Sequence, residues 1–203
     1  MQILNEQNDH IYCYAFETQT QSKPIKQNPM ATEYKNLSEY DAKQMPDAEK
    51  LSKQQYAIVV ADWNPSITYA MLDGTAEELK KNGVKQESIK VVHVPGTFEL
   101  TYAATQLIDD FYCIVEGIKI HKYAAVIVLG CVIQGETPHF DYVCQGVTNG
   151  ISLLNTRTDG CPVIFGVLTT KTLEQALDRA GGKHGNKGVE AAITAIKMAN
   201  IIW

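Results

Sequence analysis

Residues Gly130 to Val143 read GCVIQGETPHFDYV, and the change of pattern inside this stretch decides the fold. Ahead of it, Ala124 to Leu129 (AAVIVL) is a short continuous apolar run, as expected of a strand buried on both faces. The run ends in two glycines and Gln134. Glu136, Thr137, Pro138 and His139 then open an amphipathic pattern. A buried strand thus delivers a histidine and a hydroxyl to a turn ahead of a helix. In an open α/β sheet ligands sit beyond the carboxyl ends of the strands, and the exposed N–H groups of a helix N-terminus favour anions there. His139 is therefore expected beside an anion site, placed for proton transfer.

The same alternation extends outward in both directions. Tyr56 to Ala61 (YAIVVA), Ile89 to Val94 (IKVVHV) and Pro162 to Leu168 join Ala124 to Leu129 as strand candidates. Helical segments separate them, the signature of a parallel sheet with crossover helices. Between the first two strands, Asn64 is expected to cap a helix, Pro65 suits its first turn and Gly83 ends it. A second helix runs from Gly96 through Leu100, Ala104 and Leu107. His139 to Leu154 and Leu173 to Met198, the latter broken at Gly181 and Gly182, supply the remaining helices. The reading is an α/β fold with a four-stranded parallel sheet flanked by helices.

Before Tyr56 the pattern is different. Residues 1–29, rich in Gln and Asn and without a sustained period, read as an irregular tail. Residues 30–55 form a polar, turn-rich segment, and residues 56–203 the α/β domain. One connection is long: between Leu107 and Tyr123 the chain reads IDDFYCIVEGIKIHK, roughly ten residues more than short α/β crossovers require. It is expected to lengthen a helix end or form a surface excursion. Phe111, Tyr112, Ile114, Val115 and Ile118 within it must then pack, for instance against a neighbouring subunit.

At 203 residues the chain suits one domain, and 45% hydrophobic with 20% charged residues is ordinary globular composition. A formal charge of -5 disfavours nucleic acid or an anionic membrane as the main partner. No run is apolar and long enough to span a bilayer, and the N-terminus lacks the basic, apolar, small-residue order of a signal peptide, so the cytoplasm is the expected compartment. The five cysteines are scattered without a C-x-x-C pair, which suggests free thiols and neither a disulfide framework nor a metal site. Cys131 invites a nucleophile reading, but a small strand-end residue offering backbone groups is the more usual role. GGKHGNKG lacks P-loop spacing, and no Ser or Thr follows its lysines.

GCVIQGETPHFDYV, together with WNPSIT (Trp63 to Thr68), VPGTFEL (Val94 to Leu100), PVIFGVLTT (Pro162 to Thr170) and EQALDRAGGKHGNKGVEAA (Glu174 to Ala192), resembles the 6,7-dimethyl-8-ribityllumazine synthase family. The five blocks span most of residues 56–198 in the family's order. The resemblance implies a flavodoxin-like three-layer sandwich, assembled as pentamers or assemblies of pentamers with sites at subunit interfaces. It also implies a transferase of riboflavin biosynthesis. In that reaction the amine of 5-amino-6-ribitylaminouracil attacks the ketone of 3,4-dihydroxy-2-butanone 4-phosphate; imine formation, loss of phosphate, ring closure and dehydration follow. The substrate brings its own nucleophile, so no cofactor, metal or Schiff-base lysine is implied. Proximity, proton shuttling and charge stabilisation are what the protein must supply.

By the same resemblance His139 is the general acid/base, a task suited to a side chain that titrates near neutrality. Glu136 and Thr137 would hold the phosphate through backbone N–H groups and a hydroxyl, with Arg179 supplying charge. The cluster of Arg179, Lys183 and Lys187 on glycine-rich backbone suits anionic ligand capture, with Lys187 binding substrate. Trp63 stands where the family commonly has Phe stacking on the pyrimidine, and its larger face suits flavin-like ligands. Thr97, Phe98 and Glu99 would hold the ribityl chain, and Cys131, Val132 and Ile133 would offer backbone groups to the ring edge. Phe165 and Arg179 would come from the adjacent subunit. Gln134 departs from the pattern, since relatives commonly carry a basic residue there. Two other readings use the same residues: a non-catalytic riboflavin- or lumazine-binding protein, and a shell-forming protein. The presence of His139, Thr137 and Arg179 together favours the enzyme, because flavin storage needs no phosphate site.

Overall fold

The computed structural model describes residues 39–116, 118–157 and 160–202. The tail at 1–29 and residues 30–38 of the polar segment lie outside the described residues. A 3-10 turn at Ala42–Gln44 and a short helix, α1 (Ala48–Leu51), lead into β1 (Tyr56–Ala61). Then follow α2 (Pro65–Lys81), β2 (Ile89–Val94), α3 (Leu100–Ile108), β3 (Phe111–Val115), β4 (Ile118–His121), β5 (Ala125–Ile133), α4 (His139–Leu154) and β6 (Val163–Thr170). The chain ends with α5 (Leu173–Asp178), a small hairpin of β7 (Ala180–Gly182) and β8 (Gly185–Asn186), and α6 (Lys187–Ala199).

Strands β2, β1, β5 and β6, in that order, form one parallel sheet. Successive side chains alternate between its faces, and both faces are covered. Ile58, Val60, Ile127 and Leu129 pack with Ile67, Met71, Leu79 and Ile196 from α2 and α6. Ala57, Val59, Val126 and Val128 pack with Leu100, Leu107, Val147 and Ile151 from α3 and α4. These are the three layers expected, and they explain why YAIVVA and AAVIVL are apolar without alternation: every residue of β1 is buried.

Helix α2 begins with Pro65 in its first turn. It ends in a Schellman arrangement, where Val84 N–H donates to Leu79 O at 3.1 Å and Gly83 N–H to Lys80 O at 2.9 Å. The described part of the polar N-terminal segment docks on this helix. Leu51 is fully buried, and the Tyr40 hydroxyl donates to the Glu78 carboxylate. Helices α2 and α6 approach closely. Asn186 caps α6 by accepting from Gly188 N–H at 2.7 Å and reaches across to donate to Ala70 O at 2.9 Å.

The structure alters two expectations near the site. Strand β5 does not stop at Leu129 but continues through Gly130 to Ile133, because Val132 and Ile133 pair with Thr169 and Thr170 of a correspondingly longer β6. Gly130 permits this: a Cβ there would lie 2.8 Å from Thr97 Oγ1 and 2.9 Å from Leu100 Cδ1. Asn64 stands at the N-cap of α2 but makes no side-chain cap. It adopts a left-handed conformation (φ 61°, ψ 55°) and its side chain goes elsewhere.

The long connection after α3 is a surface excursion, the antiparallel hairpin β3–β4. Phe111, Tyr112, Ile114, Val115 and Ile120 are all exposed on it.

Candidate active site

The carboxyl ends of β1, β2 and β5 open onto one cleft of about 740 Å³, within the size range of small-molecule sites. Three connections build it. The β1–α2 turn supplies Trp63 and Asn64; the β2–α3 turn supplies Gly96, Thr97, Phe98 and Glu99; β5 and its passage into α4 supply Cys131, Val132, Ile133, Gly135, Thr137, His139, Phe140, Tyr142 and Val143. His139 is the first residue of α4, so strand, turn and helix place it as the sequence pattern indicates.

The walls are held by hydrogen bonds that prolong the sheet. Asp62 N–H donates to Val94 O at 2.8 Å and Trp63 N–H to Pro95 O at 3.2 Å, extending the β1–β2 pairing to the indole's own backbone. The Asp62 carboxylate accepts from the Tyr69 hydroxyl at 2.9 Å and lies 2.8 Å from His93 Nδ1. The hydrogen bonds from His93, then Tyr69, hold its pKa below the ordinary carboxylate value. On the other wall the Cys131 carbonyl accepts from Asn64 Nδ2 at 3.1 Å and from Thr97 Oγ1 at 3.4 Å. The Cys131 thiol is buried, and burial pushes its pKa up to about 11, which removes it as a nucleophile near neutrality.

The bonds from Val126 N–H to Pro162 and from Gln134 N–H to Thr170 direct the backbone of even-numbered β5 residues toward β6. Val132 therefore turns its backbone groups to β6 and meets the cleft differently from the expectation that it offers them to a ring. The Cys131 carbonyl is already engaged by Asn64 and Thr97. Ile133 is the residue of the three whose backbone faces the side left open where β1 ends.

Three aromatic rings stand open around the cleft: Trp63 and Tyr142 are each 72% exposed and Phe98 59%. Phe98 lies over Gly146 of α4, where a Cβ would come within 2.6 Å of its ring. Glu99 folds back toward Gly96, whose Cβ would meet Oε2 at 2.9 Å. Glu136 belongs to the same loop as Thr137 but does not line the cleft.

Phe165, Arg179 and Lys187 are not brought to this cleft within one chain. Phe165 is half-buried on β6 against the core under α3 and α4. Arg179, after α5, sends Nη1 to His184 O at 3.0 Å and Nη2 to Glu190 Oε2 at 3.1 Å. Lys187 Nζ reaches the same Oε2 at 3.2 Å. The cleft of a single chain thus has a histidine, two threonines and a carboxylate but no Lys or Arg among its lining residues. Among the described residues no group of His, Cys, Asp and Glu is arranged to hold a metal ion, and no helix is long and apolar enough to cross a membrane.

A family model described as 6,7-dimethyl-8-ribityllumazine synthase matches residues 53–202. The chain belongs to this lumazine synthase family. Its relatives include the 6,7-dimethyl-8-ribityllumazine synthase of Parabacteroides distasonis, 54% identical over 84% of this chain and 98% of the relative. That of Porphyromonas gingivalis is 53% identical over 85% and 98%, and that of Flavobacterium johnsoniae 50% over 85% and 83%. Membership in the lumazine synthase family makes the chain an enzyme of riboflavin biosynthesis, in the transferase class.

Sequence reasoning did not place Asn64, Phe140, Tyr142 or Val143 at the site. For Tyr142 and Val143 the signal was present, since residues three and four beyond His139 share its helix face. Asn64 followed by Pro65 reads as a helix cap, and its contact with Cys131 has no local signature.

Proposed function

We propose that this cleft condenses 5-amino-6-ribitylaminouracil with 3,4-dihydroxy-2-butanone 4-phosphate to give 6,7-dimethyl-8-ribityllumazine, and that it does so in the cytoplasm. The observation that carries the reading is the gathering of Trp63, Thr97, Glu99, Thr137 and His139 into one cleft from three separate connections. Trp63 offers an aromatic face for the pyrimidine. Phe98 and the Thr97–Glu99 turn suit the ribityl chain, whose hydroxyls can donate to the Glu99 carboxylate, and Ile133 offers backbone groups to the ring edge. Thr137, with the N–H groups of the Glu136–His139 turn, faces the phosphate at the start of α4. His139 moves protons during imine formation, phosphate loss and dehydration.

A phosphate in a cleft lined by Glu99 and by no cation lacks the charge-assisted partners such groups ordinarily receive. Arg179, Lys187 and Phe165 are held on the chain outside its own cleft. We therefore assign them to the cleft of a neighbouring subunit in a closed head-to-tail ring, with five subunits as the assembly. In such a ring every chain both lends and receives the same residues. No cofactor or metal enters the scheme, because the uracil's amine is the nucleophile.

The test is product formation from the two purified substrates. His139→Ala should retain oligomer mass and lower kcat by about 100-fold, the lower range for loss of a general acid/base. Wild-type turnover in this variant would remove His139 from the chemistry.

A further inference from the structure

We infer that Glu190 is a positioning residue for the phosphate site, holding Arg179 and Lys187 at a fixed separation so that one subunit presents both cations together; this rests on the function proposed above. Glu190 lies in the first turn of α6. Its Oε2 accepts from both Arg179 Nη2, at 3.1 Å, and Lys187 Nζ, at 3.2 Å. Its Oε1 lies 2.8 Å from Arg179 Nη1 as a charge contact and, being buried, makes no hydrogen bond of its own.

The backbone gathers the same residues: Lys187 N–H donates to Arg179 O at 2.8 Å, across the β7–β8 hairpin. Arg179 Nη1 is further oriented by His184 O at 3.0 Å. Two like charges this close repel. The carboxylate between them, only 15% exposed, is what keeps them side by side. A buried ion pair is a poor stabiliser in general, because desolvation cancels most of the attraction. A carboxylate that shares one oxygen between two cations, on a segment that offers its charge to an anion, is better explained by orientation. Of the five donors of a guanidinium, the His184 bond engages one on Nη1 and the Glu190 bond one on Nη2, so the group has donors beyond these two for a phosphate.

The alternative role, a counter-charge that merely damps the cations, predicts the opposite sign. Glu190→Gln raises the net positive charge of the cluster. A damping role makes phosphate bind more tightly in that variant; a positioning role makes it bind more weakly, because a neutral carboxamide loses the charge that draws the two cations together and the second oxygen that faces Arg179 Nη1.

The experiment uses the assembled enzyme, with inorganic phosphate as competitive inhibitor and both substrates in steady-state kinetics. The expected result for Glu190→Gln is a rise of about ten-fold in the inhibition constant of phosphate and in KM for the butanone phosphate. The KM for the pyrimidine should change less, with melting temperature and oligomer mass retained. In an Arg179→Ala/Lys187→Ala background, adding Glu190→Gln should change neither phosphate constant further, since a residue acting through those two cations has nothing left to position. Glu190→Asp, which keeps the charge but draws it back by one methylene, should fall between wild type and Glu190→Gln and serves also if Glu190→Gln fails to assemble. Tighter or unchanged phosphate binding in Glu190→Gln and Glu190→Asp, or a further effect of Glu190→Gln in the background lacking both cations, overturns the inference. If Arg179→Ala alone leaves the phosphate constants unchanged, the assignment of Arg179 to the phosphate site is wrong, a result distinct from a failure confined to Glu190.

Discussion

Cys131 and Asn64 show what a single position contributes and what can be read of it in advance. Asn64 takes a left-handed conformation that costs a non-glycine residue about 1 kcal/mol or more, and its carboxamide reaches Cys131 O at 3.1 Å. That contact joins the end of β1 to the end of β5, 67 residues apart in sequence. A dipeptide pattern carries no information about it, so the local reading of Asn64 as a cap placed the residue correctly and its side chain wrongly. His139 and Thr137 were legible because their placement depends only on the local strand–turn–helix order. The Cys131 thiol is raised from 9.0 to about 11, as is that of Cys161, both by burial. A group whose folded pKa is raised keeps its proton in the native state while the unfolded chain releases it. Stability is therefore full below the unfolded value and falls as pH climbs from about 9 toward about 11. Urea midpoints measured across that window should decline, and Cys131→Ala/Cys161→Ala should make the decline shallower. An unchanged slope in the double variant would mean the thiols are not desolvated as described.

At the scale of elements, the parallel strands and α4 were readable from hydrophobic runs and amphipathic periods. The ends of β5 and β6 were not, because pairing between Val132 and Thr169 depends on a neighbour distant in sequence. The β3–β4 hairpin was expected only as an excursion: all of β3 is exposed, as is Ile120 of β4, so no alternation of buried and exposed residues marks a register on β3. The contact of α2 with α6 depends on Gly188, where an added Cβ would lie 1.9 Å from Met71 O. Backbone cannot yield as a flexible side chain does. Gly188→Ala should therefore destabilise by about 3 kcal/mol, the upper range for overpacking. Gly135→Ala, where an added Cβ meets nothing within 4 Å, should melt like wild type. Equal melting temperatures for the two variants would show that α2 and α6 do not depend on this close approach.

At the scale of the whole molecule, the proposed function requires one chain to hold two incomplete halves of a site. The cleft beyond the sheet carries His139 and Trp63, while the α5–α6 region carries Arg179 and Lys187, joined through Glu190. Composition gave no hint of this division, since an overall charge of -5 is silent about where cations are held. The resemblance implied it, and the absence of Lys and Arg from the cleft lining gives it a physical reason. The β3–β4 hairpin adds an exposed apolar surface whose role the site does not require. The central claim is that a complete constellation needs His139 from one chain and Arg179 from the next, and refolding an equal mixture of His139→Ala and Arg179→Ala chains tests it most directly. If mixing is random in a head-to-tail ring, about a quarter of the interfaces receive both wild-type residues, so activity should rise to about a quarter of that of wild type refolded alone, far above either parent. Mixed oligomers with no more activity than the parents would contradict the account, because each chain would then be using its own Arg179.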